Sequence, residues 1–213
     1  MPLSASGSLP SLSGGPPNFG RARAYALERL ERELAPSLCY HSLAHTRDDV
    51  AVAVERLAAA QEVSGEALLL LRTAAYFHDL GFVEQSENHE AIGARIAAEV
   101  LPDFGYQPAQ IELIAAMIMA TRLPQSPSTL LEQIMADADL DVCGRADFLA
   151  LNQCLRTELS QSGRVSTDRE WYSDQLQFLQ AHHYWTAAAR AWRDAQKQQN
   201  MAALERLLAA SRE

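Results

Sequence analysis

An all-α fold is predicted by three features of this chain. Apolar residues recur at three- and four-residue spacing, and Gly, Pro and Ser/Thr caps cut the chain into helix-sized segments. No run of alternating β-branched residues interrupts them. The first segment, Arg21 to Ala35, is rich in Ala, Leu, Arg and Glu and is stopped by Pro36. His41 to Gln61 carries Val50, Val54, Leu57 and Ala58 at helical period. Glu66 to Asp79 is apolar nearly all round, which predicts a central buried helix, and Gly81 suits the turn after it. Ser86 or Asn88 caps the next helix, which runs to Leu101 before Pro102. Pro108 fits the first turn of a helix reaching about Thr121, with Pro124 just beyond. Thr129 with Glu132, and Thr167 with Glu170, make capping-box patterns. The first opens the segment that ends at Asp139; the second opens helical sequence continuing almost to Glu213. Ala146 to Ser160 lies between them and is broken by Gly163. The sum is about eight or nine helices around one core, with no internal repeat.

The chain has 213 residues, 48% hydrophobic and 21% charged. That describes one globular domain with an appendage. A chain of this size buries roughly 70% of its unfolded surface, so neither disulfide nor metal is needed to hold a core. No stretch approaches the roughly 18 consecutive apolar residues of a membrane span, so no membrane role is expected. The net charge of −9 disfavours long nucleic acids, which need a basic surface. Cys39, Cys143 and Cys154 are odd in number and form no C-x-x-C, so free thiols in a reducing compartment are expected. Residues 1–20 hold five Ser, four Gly and four Pro and no Lys or Arg, a flexible leader without the basic start of a secretory signal. Cytoplasmic location is the default expectation, and residues 21–213 are expected to form the helical domain. Oligomeric state stays open.

The six histidines carry the chemical signal. His41 and His45 stand four apart, which on a helix stacks them on one face. His78 and Asp79 close the most apolar segment, where an ionised Asp costs several kcal/mol unless a cation or hydrogen bonds compensate. Asp137, Asp139 and Asp141 end an otherwise apolar segment, and a cation relieves their mutual repulsion. Imidazoles and carboxylates without thiolates suit Mn, Fe, Co, Ni or Zn, with Mg tolerated where carboxylates dominate.

The strings Tyr40-His41-x-x-x-His45-Thr46, Phe77-His78-Asp79-Leu80-Gly81 and Ala138-Asp139-Leu140 resemble the HD-domain superfamily of metal-dependent phosphohydrolases. That superfamily shows H…HD…D on an all-helical fold. The likeness is to a bacterial HD subgroup with three further cues: Asn88-His89-Glu90, Ala120-Thr121-Arg122-x-Pro124, and Asp137-x-Asp139-x-Asp141 followed by Gly144-Arg145. It covers residues 40–156, with a helical extension over 166–213. The resemblance implies that His45, His78, Asp79 and Asp139 ligate a divalent metal. It also implies hydrolysis of a phosphoester or phosphoanhydride, with a nucleotide as the expected substrate. A weaker likeness to cyclic-nucleotide phosphodiesterases makes His41 the candidate general acid, and His89 a ligand for a second metal or a phosphate. Asp79 is expected to serve the attacking water as well as the metal. Asp137 is expected to support the ligands from behind. Arg122, with Arg47 and Arg145 as alternatives, is the candidate phosphate-binding residue, because the guanidinium fork matches phosphoryl oxygens. Thr121-Arg122 stands where two-metal branches carry His-His, which counts against a dinuclear centre and an HD-type di-iron oxygenase. A non-catalytic nucleotide-binding HD module is the main alternative. His182 and His183 are read as structural, Lys197 as a surface charge, and the aromatic residues from Trp171 to Trp192 as helix packing.

Overall fold

The computed structural model describes residues 16–211. Most of the 1–20 leader therefore lies outside the described residues. Nine α-helices appear among the described residues, and no strand. They are α1 (Phe19–Glu33), α2 (Ala51–Ala60), α3 (Gly65–Phe77), α4 (His89–Val100), α5 (Pro108–Met119), α6 (Leu130–Asp139), α7 (Phe148–Gln161), α8 (Asp168–Ala181) and α9 (Ala187–Ala210). No helix among the described residues is long and apolar enough to cross a membrane.

Helix α3 is central because it is apolar nearly all round. Leu70, Leu71, Ala74, Ala75 and Phe77 are buried, and α1, α2, α5 and α6 pack around it. Its C-terminal end, with His78 and Asp79, is thereby carried into the interior. Two glycines let α4 close on that end. A Cβ on Gly81 would sit 2.0 Å from the His89 carbonyl oxygen, and one on Gly93 would sit 2.9 Å from the Phe77 carbonyl oxygen. Neither position has room for a side chain, so the approach of α4 to the His-Asp turn depends on both.

Three local readings need correction. The helix preceding α2 does not begin at His41: a wide π turn over His45–Val50 leads into α2, and His41 lies in the bend before it. The C-terminal helical sequence is divided into two helices. The chain is extended at His182, and Thr186 caps α9 by accepting the Ala189 N–H. The break is stabilised from outside: Asp137 accepts the backbone N–H groups of Trp185 at 2.7 Å and Thr186 at 2.8 Å. Finally, Cys39 and Cys154 are not free thiols. They form a disulfide, their Cα atoms 5.8 Å apart across 115 residues, and of the three cysteines only Cys143 is free, in the core. Sequence spacing held no sign of that pairing, since the segment before Tyr40 meets α7 only in the folded chain.

Candidate metal centre

Three atoms from two segments converge under the floor of a cavity. His45 comes from the π turn before α2; His78 and Asp79 come from the end of α3. One donor atom from each lies within 4.8 Å of the others. The Nε2 atoms of His45 and His78 and the Oδ2 atom of Asp79 are all buried without a hydrogen-bond partner. The last residue of α6, Asp139, points Oδ1 at the same place, 3.5 Å from His45 Nε2 and 3.4 Å from His78 Nε2. The outer nitrogen of His78 is occupied: its Nδ1 lies 2.8 Å from the Ala75 carbonyl oxygen. That bond fixes the ring and turns Nε2 inward as an acceptor-type nitrogen.

Without an ion, the imidazoles themselves supply the positive charge that these carboxylates face. Burial alone would push the Asp79 carboxyl up; the imidazoles of His78, His41 and His45 hold it far below the ordinary carboxylate range. Burial likewise opposes ionisation of Asp139, yet the nearby imidazoles of His45 and His78 bring it down to about 2. His78 is buried, which disfavours its charge, but Asp79 and Asp139 raise its pKa well above the usual histidine value. A cluster of buried ionised carboxylates facing orphaned imidazole nitrogens is the donor set that a divalent cation completes. The residues present therefore fit such an ion.

His89 stands beside this group. Its Nε2 is 3.6 Å from Asp79 Oδ1, its Nδ1 is 3.1 Å from the Ser86 carbonyl oxygen, and its ring packs on Phe82. His41 reaches the cavity from the bend rather than from a helix face. Its ring stacks on Phe82, and its Nδ1 lies 2.5 Å from Oε1 of Glu158, a buried residue of α7. The other oxygen of Glu158 accepts the backbone N–H groups of Tyr40 and His41. Burial would lower the His41 pKa, but the Glu158 hydrogen bond and the Asp79 charge raise it. Glu158 is the residue that sequence reasoning missed. It is 117 positions from His41 and sits in a helix whose pattern marks no site.

Above the floor opens a cavity of about 390 Å³, bordered by Asp79, Asp139, His41, His89 and Arg122. The three arginine candidates separate here. Arg122 lines the cavity and donates to Asn88 Oδ1 at 2.9 Å. Arg47 is exposed and paired with Asp48, and Arg145 is engaged by Asp49 and Asp147. Neither of the last two borders the cavity, and nearby carboxylates hold both guanidinium groups. Asp137 is fully buried with both oxygens committed to the α8–α9 break, so it organises the C-terminal helices and makes no contact with the ligand set. Asp141 pairs with Arg193 at 2.6 and 2.7 Å. Lys197 is buried, not a surface charge, and donates to the His182 carbonyl.

Residues 40–140 match the family model of the HD domain. Among solved structures, the chain is similar to a predicted HD superfamily hydrolase from an uncultured Thermotogales bacterium. The two share 19% identity with a TM-score of 0.60, over 91% of this chain and 92% of that one. A likeness at that identity concerns the fold. None of the curated proteins matches the sequence.

Proposed function

The chain belongs to the HD-domain superfamily through residues 40–140, and from that premise we propose that it is a metal-dependent phosphohydrolase. It cleaves a phosphoester or phosphoanhydride of a small substrate, a nucleotide by preference. The observation that carries this reading is the convergence of three buried, unpartnered donor atoms on His45, His78 and Asp79 beneath a cavity of substrate size.

His45, His78, Asp79 and Asp139 would hold the ion. When bound there, a divalent cation supplies Lewis acidity, lowering the pKa of a water ligand and offsetting charge on phosphoryl oxygens. The remaining work falls to side chains. Asp79, buried at the floor beside His45 and His78, orients the attacking water. His41 gives a proton from Nε2 to the leaving oxygen, since its Nδ1 is bound to Glu158. The Glu158 carboxylate fixes that tautomer and extends the pH range in which the ring carries the proton. Arg122 binds the phosphoryl oxygens that face away from the floor, its fork already oriented by Asn88. His89, its Nδ1 on the Ser86 carbonyl oxygen, presents Nε2 beside Asp79 as a further ligand nitrogen.

The test joins metal analysis of the purified chain to a screen of phosphate monoesters, phosphodiesters and nucleotide pyrophosphates with added Mn, Co, Ni or Mg. The expected result is bound transition metal and turnover of at least one class. Absence of metal together with no turnover under any supplementation refutes the reading. Nucleotide binding with no turnover would assign the chain to the non-catalytic modules.

A further inference from the structure

The mechanism leaves one part of the cavity unused. Away from the ligands its wall is apolar, with Leu123, Phe148, Leu155 and Phe178, and it is interrupted by two amides, Asn152 and Gln175. A wall of this kind accommodates the organic part of a ligand, and its few polar groups set the orientation.

The direction of both amides follows from the residue behind them. Trp171 is buried on α8, and an indole N–H can only donate. It donates to Asn152 Oδ1 at 2.9 Å. Asn152 therefore offers its Nδ2 on the other side, where it donates to Gln175 Oε1 at 2.5 Å. With its oxygen used, Gln175 has only Nε2 left. That group makes no hydrogen bond to a described residue, and it is not among the orphaned atoms sealed from solvent. Reversing either amide would set one donor against another inside the protein, so the chain of bonds has one sense.

We propose that Gln175 is a specificity-determining residue, its Nε2 donating to a carbonyl oxygen on the base of a nucleoside phosphate. The inference rests on the phosphohydrolase reading above and names the substrate class for the same cavity. A planar base fits the Phe148 and Phe178 side of the wall, where a sugar would leave its hydroxyls unpaired. A base with an oxo group meets the Gln175 donor. A base with an amino group at that edge sets donor against donor and leaves both unpaired, which is the discrimination a fixed hydrogen-bonding site performs best. Asn152 is a positioning residue, acting through Gln175.

The experiment compares paired monophosphates that differ by oxo against amino, inosine with adenosine and uridine with cytidine, on the metal-loaded full chain. p-Nitrophenyl phosphate serves as an ester without a base. The wild-type chain is expected to prefer the oxo member of each pair by about tenfold or more in kcat/KM, with the difference in KM. Gln175→Glu presents an acceptor in place of the donor and is expected to reverse the preference. Asn152→Asp still accepts from Trp171 but cannot donate to Gln175, so Gln175 turns over and the preference reverses again. A purely structural role for Asn152 would not invert a base preference. An amino preference in the wild type, a ratio unmoved by both variants, or hydrolysis of p-nitrophenyl phosphate with no nucleotide turned over each overturns this proposal alone. Failure to hydrolyse p-nitrophenyl phosphate and every nucleotide overturns the phosphohydrolase reading with it.

Discussion

The floor of the cavity and the wall above it are assembled by different rules. His78 and Asp79 are neighbours at the end of one helix, and His45 and Asp139 stand at the start and end of two others that pack on it. The wall and the support of His41 come from α7 and α8, whose side chains meet partners far away in sequence, as Glu158 does with His41. The floor is also short of partners, with three orphaned polar atoms, whereas the wall is closed by an unbroken chain of bonds from Trp171 to Gln175. An unsatisfied buried cluster is costly and persists where a ligand completes it. A satisfied one is rigid and selects among ligands. On the roles proposed above, the two halves of one site serve different ends: the floor suits an ion, the wall discriminates.

The largest expected effect is on the floor. Asp79→Ala removes a donor that His45 and His78 both face, and should abolish metal retention and lower turnover to the detection limit. Metal analysis alongside the hydrolase assay checks both. A variant that kept its metal would break the division between floor and wall.

Next comes the hinge between them. His41→Ala should retain metal yet slow turnover by about 10²–10⁴-fold. Glu158→Gln, which still accepts from the backbone but no longer carries charge, should slow it by about tenfold to a hundredfold and lower the pH at which activity falls away on the alkaline side. If either variant lost metal in step with activity, His41 would belong to the floor.

The third prediction concerns stability, not chemistry. Asp137→Ala strands the buried N–H groups of Trp185 and Thr186, each worth roughly 1–3 kcal/mol, so a loss of about 2–4 kcal/mol is expected in urea unfolding with metal content unchanged. Metal loss without destabilisation would place Asp137 with the ligands after all.

The smallest effect is a pH dependence. Burial, with Lys197 and His183 nearby, lowers the His182 pKa from 6.5 to about 3, and both of its ring nitrogens lack partners. Between those values the unfolded chain binds the proton and the folded chain does not. The penalty is therefore absent above about pH 6.5 and grows as pH falls toward 3. His182→Gln should flatten the acid side of the stability profile relative to wild type. Superimposable profiles in urea from pH 7 to 5 would remove His182 from the account.

Much of the floor was legible before folding, because helix ends are written locally. Pro108, Thr129 and Thr167 mark starts that the structure keeps, and Gly81 marks the tight turn after Asp79. The spacing of His41 and His45 predicts a shared helix face, and here local spacing misleads. The bend at His41 is held by Glu158, which no window around His41 contains. The break between α8 and α9 has no local signal for the same reason: its stabilising partner, Asp137, lies 48 and 49 positions away. Arg47, Arg122 and Arg145 were indistinguishable as letters, and only their neighbours in space separated the one that lines the cavity from the two held by carboxylates.

The all-helical class, the buried α3 and the His-Asp pair at its end are thus written in the sequence itself. Periodicity, caps and apolar content act within a few residues and survive any rearrangement of the rest. Tertiary structure alone decided the proton partner of His41, the direction of the Gln175 amide, the pairing of Cys39 with Cys154 and the role of Asp137. Each of those depends on hydrogen-bonding groups or sulfurs meeting within a few ångströms across distant stretches of chain, a condition that packing satisfies and spacing does not record.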